Sequence, residues 1–232
     1  MLTTDRPQAA TLSTDPGREM RSGGAILFIG VLLLVTTIGF EMSVGWPPSD
    51  DSVDIPAFIL QEWPSLRWIW AVQGLAGLLY GLSALVLLRS QHLNALWRPA
   101  STLWSAVAIG AIIFAVAFTF CLGSYPPALH ALEDNPEIFA AVRGGVRNLY
   151  LTGGTVALLG LLVLFLREGI AKEGLVPRSW VFGMVAALAL AMMAAAVGLL
   201  RLPTVAAVTF FAPALLGLAI WRAGRQLVRH KG

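Results

Sequence analysis

Apolar stretches alternate with charged or proline-rich segments along the whole chain, at residues 22–42, 68–88, 102–122, 150–166, 180–200 and 204–221. A helix crossing a hydrocarbon layer about 30 Å thick needs about 20 such residues, and the interiors of these stretches carry no charge. The pattern therefore predicts an all-α integral membrane protein, a bundle of about six transmembrane helices. Residues 1–21 lack apolar periodicity and read as a disordered cytoplasmic tail. Residues 22–222 form the membrane domain, and residues 223–232 a basic cytoplasmic tail. The first apolar run is longer than a signal-peptide core and is read as a permanent anchor.

Two connections are long, 43–67 and 123–149. In the first, Ile55, Ile59 and Trp63 recur at helical spacing beside Phe58, the pattern of a short helix lying in the interface. In the second, Asn135, Pro136 and Glu137 look like a helix start, leading through the Gly144-Gly145 pair towards the fourth span. An outer cap of short interfacial helices is the expectation.

Composition agrees with lipid as the main solvent. Hydrophobic residues make up 57% of the 232 positions and charged residues 12%, more apolar surface than one soluble core can absorb. Of the 16 Lys and Arg, 12 fall in the tails and the loops after Arg89 and Arg167, whereas Arg67, Arg143, Arg147 and Arg201 fall on the opposite side. By the positive-inside rule both termini are cytoplasmic. The net charge of +3 supports no nucleic-acid partner, and the basic C-terminal tail suits anionic lipid instead. Membrane lipids, anionic ones among them, are the expected partners, with a second copy or another membrane protein as a further candidate.

The chain also repeats some landmarks. Trp46-Pro47-Pro48 follows the first span and Tyr125-Pro126-Pro127 the third, while Arg67 and Arg147 open the second and fourth. The second, fourth and sixth spans end in related strings, LLYGLSALVLLR, ALLGLLVLFLR and ALLGLAIWR. Three repeated helical hairpins are one reading; chance likeness among apolar helices is the other. Small residues line two faces, Gly77 with Gly81, and Gly183, Ala187, Ala191 and Ala195. Packing inside one bundle is the favoured use, and homodimerisation the competing one.

Chemistry-bearing residues are sparse. Cys121 is the single cysteine, so no intramolecular disulfide forms. His130, Glu133 and Glu137 are metal-ligand types, but Pro136 interrupts the helical face that would join them, so no metal is assigned. His92, His130 and His230 all lie outside the spans, which leaves no axial pair for haem, and no cofactor is expected. No phosphate-binding glycine loop or nucleophile motif is present.

What stands out is a polar set near one membrane depth: Glu41, Arg67, Gln73, Arg143, Arg147 and Arg201. Structural pairing of Glu41 with one Arg, and snorkelling of the rest, is the bland explanation. The functional one is a ligand- or lipid-binding site for an anionic headgroup or carboxylate, since the arginines outnumber the single acid. The leading expectation is a non-enzymatic polytopic membrane protein whose extracytoplasmic cap binds a ligand, lipid or partner protein. A small-molecule transporter or channel subunit comes second, and a membrane enzyme acting at the outer leaflet third.

The stretches from Ser65-Leu66-Arg67 through Leu79-Tyr80 to Leu87-Leu88-Arg89, and from Gly174-Leu175-Val176-Pro177-Arg178-Ser179-Trp180 to Ala219-Ile220-Trp221-Arg222-Ala223-Gly224, bear on family. They resemble a bacterial family of multi-span membrane proteins known only as a domain of unknown function. The similarity covers most of residues 22–225, and the long loop after Tyr125 departs from it. The resemblance implies a bacterial inner-membrane location and about six helices. It implies no activity and no site residues.

Overall fold

The computed structural model describes residues 15–46, 54–90, 100–132, 134–172, 174–196 and 208–229. Among these the chain folds into helices α1 (Pro16–Ser43), α2 (Ile55–Arg89), α3 (Ala100–His130), α4 (Pro136–Ile170), α5 (Arg178–Ala196) and α6 (Phe211–Arg229). Helices α1 to α4 are long and apolar enough to cross a membrane. Helices α5 and α6, with 19 residues each, are shorter.

Local chemistry sets several of the ends. Asp15 accepts a hydrogen bond from the Gly17 amide at 3.2 Å, and Asp54 one from the Ala57 amide at 3.3 Å, each with a proline in the first turn. An N-cap carboxylate satisfies one of the amides that has no partner within the helix, and proline there loses no bond. Asn135 takes the N-cap position of α4 without a side-chain bond, with Pro136 and Glu137 following.

The helices run further than the apolar stretches. Helix α1 begins six residues before the expected span. Residues 55–67 are no separate interfacial helix: they continue into α2, through Pro64, as one element of 35 residues. At 1.5 Å per residue that is about 52 Å, well beyond the hydrocarbon layer. Residues 136–149 likewise continue into α4 across Gly144-Gly145, and α3 passes through Pro126 and Pro127. Apart from the early start of α1, these extensions lie at the end of the bundle where α1 finishes, here called the Glu41 end. Each broken helix would leave additional amides and carbonyls without intrahelical partners, which favours continuity over the local preference of Pro and Gly.

In space the order is α6, α1, α2, α3, α4, each packed on the next, and α6 also meets α4. Helix α5 packs on α4 and α6, with much of its surface exposed, including Phe182, Leu190 and Met193. The core is built of small residues interleaved with large ones. Gly77 receives Phe114 of α3, and Gly30 of α1 lies against the Tyr80 ring of α2. Ser83 of α2 donates to the Gly23 carbonyl of α1 at 2.8 Å, one buried hydrogen bond tying those helices.

Glycines let antiparallel helices approach closely, backbone against backbone. Gly24 meets Gly217 and Gly17 meets Gly224 between α1 and α6; Gly110 meets Gly153 between α3 and α4. The expected small-residue ridge on α5 is used otherwise. Gly183 and Ala187 are exposed while Ala191 is buried, and a Cβ at Gly183 would meet nothing within 4 Å.

Candidate functional site

A cavity of about 570 Å³ opens at the Glu41 end, within the size range of small-molecule sites. It takes lining from six parts of the chain: the last turns of α1, Trp46 just beyond it, the turns of α2 and of α3 nearest that end, the first half of α4, and Phe210 before α6. Of the helical extensions described above, those of α3 and α4 contribute Tyr125, Arg143, Val146 and Arg147.

Its polar centre is Glu41. The carboxylate accepts a hydrogen bond at Oε1 from the Trp70 indole nitrogen at 2.8 Å and at Oε2 from the Gln73 amide nitrogen at 2.7 Å. Both donors are on α2 and nearly enclosed, with Trp70 3% and Gln73 2% exposed. They stand three residues apart, about 60° around the axis, and so reach across to α1 together. Two donors from rigid, buried side chains fix the rotamer of the carboxylate.

Opposite, α4 contributes Arg143 and Arg147. Four residues apart, they share a face. Arg143 is half-buried and Arg147 exposed. Among the described residues neither guanidinium has a carboxylate partner.

The walls between these poles are aromatic. Trp46 and Tyr125 both meet the Trp70 ring edge-on, at centroid distances of 5.7 and 5.6 Å. Phe118 and Tyr150 pack together at 5.8 Å. Trp46 and Tyr125 are the aromatic landmarks that precede the two Pro-Pro pairs; their convergence on one ring was not visible in the sequence. The lining also includes the apolar side chains Ile38, Met42, Leu151 and Phe210, of which Met42 and Leu151 are exposed.

The structure thus brings together Glu41, Gln73, Arg143 and Arg147 of the polar set. Arg67 is elsewhere: it is exposed, with its guanidinium 5.7 Å from the centroid of the neighbouring Trp68 ring. Six residues separate it from Gln73, about 120° around the helix, so the two side chains cannot share a face. Arg201 lies outside the described residues. The site residues that charge alone did not single out are Trp46, Trp70, Phe118, Tyr125 and Tyr150. One signal was available for Trp70, its three-residue spacing from Gln73.

No protein-family model, curated protein or solved structure matches the chain. The chemistry of the cavity has to be read from its own residues.

Proposed function

We propose that the chain is a non-enzymatic polytopic membrane protein that binds an amphiphilic ligand, its anionic headgroup held by Arg143 and Arg147. The observation carrying this reading is the pair of guanidiniums on one face of α4, lining a cavity that also presents apolar side chains. Guanidinium forks suit phosphate or carboxylate, and the apolar lining suits an acyl chain. Arg147→Ala should weaken binding of short-chain phosphatidylglycerol to the purified protein by about tenfold, the effect of one charge-assisted contact. Arg67→Ala, outside the cavity, should leave it unchanged. Equal losses from the two substitutions would remove the basis for the reading.

In the same reading α5 and α6 supply a fifth and a sixth crossing, and the cavity faces the extracytoplasmic side. The 12 to 4 partition of basic residues supports this orientation. An alkaline-phosphatase fusion after Asp134 should be active and one after Lys172 inactive; the opposite pattern would invert the topology. A bacterial inner-membrane location follows from the resemblance noted in the sequence. A relation between the hairpins 22–89 and 101–167 belongs to the same reading, on the recurrence of their Pro-Pro and Arg landmarks at nearly equal spacing.

Transport is the second reading, favoured by polar lining contributed from three helices, α1, α2 and α4. Uptake of the bound probe into proteoliposomes, lost with Arg147→Ala, would assign it.

A further inference from the structure

The cavity has a second pole that an anion alone leaves unused. We propose that the site selects a headgroup carrying both an ammonium and a phosphate, the ammonium held at Glu41 and the phosphate at Arg143 and Arg147. This rests on the binding reading above and adds the chemical class of the ligand.

The argument begins with the acceptor capacity of Glu41. A carboxylate has about four lone-pair positions, and Trp70 and Gln73 occupy one on each oxygen. Both are neutral donors: they orient the group but bring no opposite charge. Among the described residues no Lys or Arg pairs with it, although two arginines line the same cavity. An anion bound at the arginines gains nothing from Glu41, and a simple cation at Glu41 gains nothing from the arginines. A ligand with both charges engages both poles.

The surroundings of Glu41 favour a cation further. Trp46, Trp70 and Tyr125 line the cavity on the same side, and Trp70 is bonded to the carboxylate itself. The negative ring faces of such residues attract ammonium groups, most strongly where water is displaced. A carboxylate within an aromatic wall combines charge pairing with that attraction. The apolar lining at Ile38, Met42 and Leu151 then accommodates whatever the phosphate is esterified to.

The test uses the full-length protein in detergent, with binding followed by tryptophan fluorescence, since Trp46 and Trp70 line the cavity. Four probes are compared: short-chain phosphatidylethanolamine, its N-acetylated form, short-chain phosphatidylglycerol, and free O-phosphoethanolamine. The amine-bearing lipid should bind about tenfold more tightly than either amine-blocked or amine-free lipid. Glu41→Gln should abolish that preference, whereas Arg147→Ala should weaken binding of all the lipids. If O-phosphoethanolamine competes as well as the lipid, the source is a free phosphoamine; if only the lipid competes, it is a membrane headgroup.

Arginine-dependent binding of all the lipids with no amine preference in the native protein overturns this inference and spares the binding reading. No binding of any probe overturns both. The N-acetylated probe tests the native chain, so the result does not depend on Glu41→Gln folding.

Discussion

Replacing Gly24 with valine should separate α1 from α6 and markedly lower the melting temperature of the detergent-solubilised protein. A Cβ at Gly24 would stand 2.5 Å from the Trp221 amide nitrogen and 2.7 Å from the Gly217 carbonyl oxygen, and one at Gly224 would stand 2.5 Å from the Arg21 amide nitrogen. These are backbone atoms, so no rotamer change relieves the clash; the helices must part. Overpacking typically costs about 1–3 kcal/mol, and contact against backbone belongs at the upper end. Gly110→Val should act similarly between α3 and α4, where the Ala157 amide nitrogen would be 2.6 Å away. The controls are Gly39→Ala and Gly183→Ala, where the added Cβ would meet nothing within 4 Å. In a helix interior that exchange should stabilise by about 0.5–1 kcal/mol. Thermal denaturation followed by size-exclusion chromatography reads all four, and similar melting for Gly24→Val and Gly39→Ala would refute the backbone-contact argument.

These glycines show where sequence reasoning reaches its limit. The apolar runs of the first four spans were legible because lipid demands length and low charge, both local properties. The seams between helices were not. Gly17 and Gly24 pair with Gly217 and Gly224, nearly two hundred positions away, and nothing in either segment names the other. A stripe that did look like a seam, Gly183 to Ala195, has its first two residues exposed. Helix ends divide in the same way. Asn135 marked a start, whereas Pro126-Pro127, expected just beyond the third span, and the Gly144-Gly145 pair before the fourth both lie inside continuous helices.

The site was legible in its charges and hidden in its walls. Glu41, Gln73, Arg143 and Arg147 share a depth, which a linear count of helical turns recovers. Depth does not give azimuth, and Arg67 is lost on that account. Aromatic residues near a membrane interface are common enough that Trp46, Trp70 and Tyr125 carried no distinct signal. Their role emerges only when Trp70 is seen to join the carboxylate to the rings.

That junction carries the remaining large effect. Trp70→Ala removes a side chain that is 3% exposed, meets Trp46, Trp63 and Tyr125, and donates to Glu41 at 2.8 Å. Truncating a buried Trp costs about 3–5 kcal/mol through lost contacts and the void left behind. Trp70→Phe separates the contributions, because it retains most of the ring packing and removes the indole donor. The Glu41 carboxylate then keeps Gln73 alone, and an acceptor left without its partner costs about 1–3 kcal/mol. Removing both sides should cost less than the sum: in Trp70→Phe combined with Glu41→Leu no buried carboxylate remains to miss its donor. A double-mutant cycle on thermal or denaturant stability measures this coupling. A clearly favourable coupling between the two side chains is expected, and strict additivity would mean that the hydrogen bond does not help hold this end of the bundle together.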